Sequence, residues 1–287
     1  MRVAVTGAQG QLGAAVVNEF RARHEVVALT HAMLDITSDE AACDVIGRTK
    51  PDVIVNCAAY NDVDGAEDHP VDALSVNAFA VRGLARAAAA AGCALVHYST
   101  DFVFDGKATQ PYTELDVPNP RSAYAASKLL GEWFAEDAPR AYILRVESLF
   151  GSVAGARPAK GSVAAILDAI QTGVEMRVFA DRTISPTYVV DAAVATRKLV
   201  EQWAPAGIYH CVNSGSCTWL ELARELARLL GTDPKLVPVR MADAKLRVER
   251  PLFCALSNAK LAALGIRMPS WRQAIGAYVR DATRGTP

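Results

Sequence analysis

Apolar runs of strand length alternate with helical stretches through the first half of this chain, and that rhythm permits few folds. Val3–Thr6 precedes a helix over Gln11–Arg23, and Glu25–Leu29 follows as a second strand. A helix over Asp39–Thr49 leads to Asp52–Asn56, and one over Val71–Ala91 leads to Ala94–Tyr98. A further helix over Ala123–Ala135 leads to Ala141–Arg145. Strands joined by helices run parallel, with right-handed crossovers that place helices on both faces of one sheet. Ligands of such sheets gather at the carboxyl ends of the strands, so the informative residues should follow each strand directly.

The first such turn is Gly7-Ala8-Gln9-Gly10-Gln11-Leu12-Gly13, spaced G-x-x-G-x-x-G. Glycine permits the tight turn and lets backbone N–H groups approach a pyrophosphate where a Cβ would collide. The loop alone is a weak signal; the strand before it and the helix after it give it weight. The expected fold class is α/β, a Rossmann-type doubly wound parallel sheet with a smaller C-terminal lobe.

Composition narrows the partners. With 287 residues, 51% hydrophobic and 21% charged, the chain can bury a large core. Its 30 basic and 31 acidic residues nearly cancel, leaving no electrostatic case for nucleic acid or an anionic membrane. No apolar run approaches the ~20 residues that span a bilayer, and Met1-Arg2-Val3 enters a strand without signal-peptide anatomy. The six cysteines form no C-x-x-C pair, and a reduced, buried Cys57 is expected. His210, Cys211 and Cys217 make no closed ligand set, so no metal is expected. A cytoplasmic protein follows; a homodimer is compatible with the sequence but not specified by it.

Beyond residue 150 the rhythm loosens. Gly151–Gly161 reads as a loop, followed by a helix near Val163–Thr172 and a strand at Arg177–Phe179. Ile208–Val212 reads as a return to the sheet, and Trp219–Leu230 has helical periodicity. Residues 1–150, with return segments near 177–212, are expected to form the dinucleotide-binding domain. Residues 151–176 and 213–287 are expected to form a smaller substrate lobe, with a frayed tail at 283–287.

Chemistry enters with Tyr124-Ala125-Ala126-Ser127-Lys128. Residues four apart share a helix face, so phenol and ammonium point the same way. A nearby cation is expected to lower the phenol pKa from ~10, suiting a general acid that protonates an alkoxide as hydride reaches the carbonyl carbon. Ser99 and Thr100, at the end of the fourth strand, should emerge at the same edge, where a hydroxyl can bond a substrate carbonyl or tune the tyrosine. Asn56-Cys57-Ala58-Ala59 ends the preceding strand with small residues that leave room for a cofactor.

In this order and spacing the chain resembles the extended short-chain dehydrogenase/reductases that act on nucleotide sugars, and within them the dTDP-4-dehydrorhamnose reductase family. Val5–Gly13, Leu34-Asp35-Ile36-Thr37, Pro51–Ala59, Val63–Glu67, Val96–Gly106 and Tyr124 with Lys128 carry the resemblance. Ser185–Asp191, Arg250-Pro251 and Leu264-Gly265-Ile266 before Trp271 extend it almost end to end. The resemblance implies reduction of a nucleotide-linked 4-keto-6-deoxy sugar. It places Gly10, Gln11 and Leu12 at the cofactor pyrophosphate, Asp35 and Ile36 on the adenine side, and Ala58, Ala59 and Tyr60 by the ribose and nicotinamide. Thr100 would assist Tyr124 as proton donor, Lys128 would hold the nicotinamide ribose, and Arg250 would meet the substrate phosphates.

The departures lie on the substrate side. Phe102 stands where the family has a tyrosine after Asp101, Ser148 where it commonly has a tryptophan, and Arg182 where a glutamine follows the aspartate. An acidic residue after the second strand would repel a ribose 2′-phosphate; Thr30-His31 stands there, favouring NADPH and leaving NADH open. Two rivals share these motifs: a non-catalytic cofactor-binding regulatory subunit, and a nucleotide-sugar epimerase or dehydratase. The dehydratase is disfavoured because apolar Phe102 after Asp101 leaves no second carboxylate beside the keto group.

Overall fold

The computed structural model describes residues 1–156 and 161–284; positions 157–160 of the expected loop and 285–287 of the expected frayed tail lie outside it. Strands β1 (Arg2–Thr6), β2 (Glu25–Leu29), β3 (Val53–Asn56), β4 (Ala94–Thr100) and β5 (Ala141–Val146) join Gly207–His210 in one parallel sheet. Its order is 2-1-3-4-5, with Gly207–His210 at the β5 edge. Thr6 pairs with Asn56 and Asn56 with His97, so the carboxyl ends of β1 and β3 are level. Chain order reverses between β1 and β3, which opens the crevice where such sheets bind ligands.

Alternation along the strands feeds two layers. Val3, Val5, Val53, Val55, Val96, Tyr142 and Leu144 enter one core, while Ala4, Ile54, Leu95 and Ile143 enter the other. Strands β3, β4 and β5 are buried at every position, as strands covered on both faces must be. The helices are α1 (Gln11–Arg21), α2 (Asp39–Thr49), α3 (Val63–Asp68), α4 (Pro70–Leu74), α5 (Ala80–Ala91), α6 (Ala123–Ala135), α7 (Ser162–Thr172), α8 (Val189–Glu201) and α9 (Trp219–Leu230). Helix α1 packs with α8 and α2 with α5, α3 and α4 pack on α6, and α7 packs on α9. Helix α1 stops two residues short of the expected Arg23, because the N–H groups of Arg23 and His24 both close on Phe20 O.

Two differences from expectation bear on the site. The expected regular helix over Val71–Ala91 is interrupted by a π turn at Ser75–Phe79, which turns the Asn77 amide onto the Tyr60 backbone. Helix α6 approaches this turn so closely that a Cβ on Gly131 would lie 2.1 Å from Asn77 O. Strand β4 also runs past Tyr98 through Thr100, so Ser99 and Thr100 sit on opposite faces of a strand. In the C-terminal half, Met176–Phe179 pairs in parallel with Leu236–Val239, outside the main sheet. Helix α9 begins with a reciprocal cap between Thr218 and Glu221.

Candidate active site

The glycine turn is built as close approach requires. Gly7 has φ +62°, and a Cβ there would lie 2.7 Å from Ala58 N, across the β1–β3 crevice. A Cβ on Gly13 would fall 2.2 Å from Gly7 O. Gly10 precedes α1 in an extended conformation and no side chain caps that helix. The first-turn N–H groups and the positive end of the helix dipole are thereby presented to the cleft.

That cleft encloses about 550 Å³ and is lined by Gly10–Gly13, Cys57, Ala59, Ser99–Phe102, Tyr124, Lys128, Glu147, Ser148 and Arg182, among others. A larger hollow of about 740 Å³ lies beside Met1, Arg2 and Glu25, at the amino ends of β1 and β2, far from this chemistry.

Tyr124 and Lys128 project from one face of α6, whose start is capped by Ser122 Oγ accepting from Ala125 N–H. Lys128 Nζ donates to Tyr98 O at 2.6 Å, and burial lowers its pKa to about 8. Behind them, Asn77 accepts from Tyr60 N–H at 2.9 Å, and its amide nitrogen donates to Tyr60 O and Ser127 Oγ, each at 3.0 Å. Ser127 Oγ donates in turn to Tyr124 O at 2.7 Å. The Thr100 hydroxyl donates to Asp101 Oδ1 at 3.0 Å and accepts from Phe102 N–H at 3.2 Å, and it lies near enough to the Tyr124 phenol to lower its pKa.

The expected lowering of the Tyr124 pKa is not found. Burial and the Asp101 charge raise it, with the nearby Thr100 hydroxyl opposing, and Lys128 is not among the groups that shift it. Shared helix face does not bring the ammonium to bear on the phenol, because Lys128 reaches instead for Tyr98 O. Tyr124 is accordingly a protonated phenol at neutral pH, which is the form a proton donor requires.

Other predicted residues divide between the cleft and its surroundings. Ser99 lines the cleft, but its hydroxyl donates to Glu132 Oε1 at 2.5 Å, within a buried network where Arg145 makes two bonds to Glu132. The hydroxyl expected at a substrate carbonyl is therefore engaged elsewhere, on the far face of β4. Thr30 accepts from Met33 and Leu34 N–H; exposed Asp35 binds the Thr37 backbone and hydroxyl. Ile36 is buried in the core beside α2 and α5, with Ala58 packed against it at the rim. Tyr60 packs near Tyr124 and Phe102. Arg250 is outside the cleft lining, paired with Asp64 at 2.9 Å.

The cleft wall that carries Phe102, Ser148 and Arg182 contains what sequence reading missed. Phe102 meets Tyr124 edge-on, with centroids 5.7 Å apart, and Arg182 lies over the Phe102 ring. Arg182 also donates to Pro251 O and Cys254 Sγ. Ser148 adopts φ +43°, unusual for a residue with a Cβ. Glu147 lies in the same wall and accepts from Ser185 N–H at 2.5 Å. A second carboxyl therefore stands in the cleft after all, and the argument against a dehydratase from its absence fails. Asn77 and Glu147 each left one trace in the sequence: a polar residue beside apolar neighbours, Val76 and Ala78 in the first case and Val146 in the second.

A parallel sheet with a glycine turn at its switch point, and threonine, tyrosine and lysine on one cleft, defines a short-chain dehydrogenase/reductase. A family model described as RmlD substrate binding domain matches residues 1–284, and the chain belongs to this family, that of the dTDP-4-dehydrorhamnose reductases. It is 34% identical to the spore coat polysaccharide biosynthesis protein SpsK of Bacillus subtilis, over 98% of this chain and 97% of that one. It is 36% identical to a dTDP-4-dehydrorhamnose reductase of Mycobacterium tuberculosis, over 99% and 94%. The crystal structure of dTDP-4-dehydrorhamnose reductase from Bacillus anthracis in complex with NADP superposes with TM-score 0.92 at 32% identity, over 98% of this chain and 99% of that one.

Proposed function

We propose that this protein is an NADPH-dependent reductase of a nucleotide-linked 4-keto-6-deoxy sugar, acting as its dTDP-4-dehydrorhamnose reductase relatives are named to act. The observation that carries the reading is the placement of Thr100, Tyr124 and Lys128 on the cleft that the glycine turn opens. The cofactor fits this turn: at Gly7 and Gly13 a Cβ would fill the space the backbone uses, and uncapped α1 N–H groups suit a pyrophosphate. No carboxylate at Thr30-His31 repels a 2′-phosphate, and the Bacillus anthracis relative holds NADP. Paired assays with NADPH and NADH measure the preference.

Bound NADPH supplies the hydride. Gly10, Gln11, Leu12 and Gly13 hold its pyrophosphate, while Ala58, Ala59 and Tyr60 shape the approach to its ribose and nicotinamide. Lys128, with a pKa near 8, is mostly charged at neutral pH and anchors ribose hydroxyls. Thr100 orients the substrate carbonyl and Tyr124, and Tyr124 gives its phenolic proton to the oxygen as the hydroxyl forms. Asp101, Phe102, Ser148 and Arg182 face the sugar, and Arg250 exchanges Asp64 for the substrate diphosphate. Residues 151–176 and 213–287 serve as the substrate lobe. A homodimer completes the reading, supported by Phe79 and Trp133, exposed at 51% and 60% on neighbouring elements; sedimentation measures it. The setting is cytoplasmic, where NADPH and nucleotide sugars are dissolved.

The test is NADPH oxidation with dTDP-4-dehydrorhamnose by wild type and Y124F. Wild type turns over, and Y124F loses roughly 10²- to 10⁴-fold in rate while still binding NADPH. An unchanged Y124F rate overturns the mechanism. A wild type that binds NADPH but reduces no 4-keto sugar overturns the reductase in favour of the regulatory subunit.

A further inference from the structure

Asp101 and Glu147 form an acid pair whose arrangement the reduction as described above leaves unexplained. They are 3% and 2% exposed, and each keeps one oxygen, Asp101 Oδ2 and Glu147 Oε1, buried without a hydrogen-bond partner among the described residues. Carboxyl oxygens of the two and Cys254 Sγ lie within 4.8 Å of one another. The groups facing the pair are Arg182, Cys254, Tyr124 and, toward Glu147, Cys217. Arg182 brings a single positive charge, so two adjacent buried carboxylates would be left with an uncompensated negative charge. One of the two therefore keeps a proton.

The protonation follows the geometry. Burial raises Asp101 to about 6, against the pull of Arg182, the nearby Cys254 thiol and the hydrogen bond from Thr100. Burial and the Asp101 charge raise Glu147 well above the usual carboxylate range. At neutral pH the pair titrates as a unit holding one proton, chiefly on Glu147. From Asp101 Oδ1 the path continues 3.0 Å to Thr100 Oγ1, whose hydroxyl lies beside the Tyr124 phenol on the same cleft and acts on its pKa.

We propose that Asp101 and Glu147 are a buried proton store that recharges Tyr124 through the Thr100 hydroxyl. The proposal rests on Tyr124 being the proton donor. In each reduction the Tyr124 O–H bond breaks as its proton joins the substrate oxygen, leaving a phenolate. The Glu147 proton passes to Asp101, a proton from Asp101 passes to Thr100 Oγ1, and the Thr100 hydroxyl gives its own proton to the phenolate. The pair, now doubly ionised, regains a proton from solvent before the next cycle. No oxidant or reductant enters these steps. Glu147 is a positioning residue for the proton and need not touch the sugar.

The experiment is rapid mixing of E147Q with NADPH and dTDP-4-dehydrorhamnose. Gln at 147 can still accept from Ser185 N–H but stores no proton. The first turnover, which uses the proton already on Tyr124, should proceed at the wild-type rate. Later turnovers should slow by about tenfold, giving a burst of one NADPH oxidised per site. Y124F, by contrast, slows the first turnover, so failure of the donor assignment is distinguishable from failure of the store. The second readout needs neither cofactor nor substrate: infrared spectra of the protein alone should show a protonated carboxylic acid at neutral pH that E147Q removes. Multiple turnovers of E147Q at the wild-type rate, or uniform slowing with no burst, would overturn the store. So would a wild-type spectrum without a protonated acid, a result that decides the matter even if E147Q fails to fold.

Discussion

The two walls of the cleft are built on different physics. The cofactor-side wall is backbone: Gly7 and Gly13 remove side chains so that loop, helix and β3 can touch, and Asn77 pins the Tyr60 backbone. The substrate-side wall is buried charge: Asp101, Glu147 and Arg182 beside Cys254, with Ser148 held at positive φ. The first wall leaves no room for a Cβ at Gly7 or Gly13. The second depends on the protonation of its side chains, and it carries Phe102, Ser148 and Arg182, the residues at which the sequence is expected to part from the family pattern.

Substitutions on each wall should break that contrast in different ways. G13A should have the largest effect short of removing Tyr124, since its Cβ would meet Gly7 O at 2.2 Å. NADPH titration should show at least about a hundredfold weaker binding, equivalent to roughly 2.7 kcal/mol; near-normal affinity would mean that the turn is not the cradle. N77A leaves the Tyr60 N–H and C=O without their partner and should cost about 1–3 kcal/mol in urea denaturation. Equal stability would show that the π turn is held by packing alone.

On the other wall, pH is the probe. Asp101 is raised from 3.8 to about 6 in the fold, so the native state holds a proton that the unfolded chain releases. Its contribution to stability is complete below pH 3.8 and is lost as pH rises through about 6. Thermal melts of D101N should lack this limb; a wild-type profile in D101N would contradict the protonation described. The smallest effect belongs to S148G, which relieves φ +43°. It should change stability by no more than about 1 kcal/mol while shifting the KM for the sugar and not that for NADPH.

The same division explains what could be read from the sequence. The sheet, the glycine turn and the Tyr124–Lys128 pair are local patterns of period and spacing, and they stand where expected. Alternation along β4 would also have separated Ser99 from Thr100, had the strand been extended by two residues. The π turn left no such mark, because it follows from α6 pressing through Gly131 onto Asn77, an approach between distant segments. The Asp101–Glu147 pair joins residues from the ends of β4 and β5, and neither spacing nor composition specifies that meeting. The Tyr124 pKa failed for a related reason: helix periodicity fixes a shared face, but not burial depth or the partner that Lys128 chooses.

The central claim is that this cleft delivers hydride and a tyrosine proton to the keto group of a nucleotide sugar. Its most direct test is to supply dTDP-4-dehydrorhamnose with NADPH deuterated at the transferable position and analyse the product by mass spectrometry and NMR. One deuterium should appear at the former keto carbon with wild type, and should accumulate roughly 10²- to 10⁴-fold more slowly with Y124F. NADPH bound tightly by wild type, with no label in the sugar, would contradict the account.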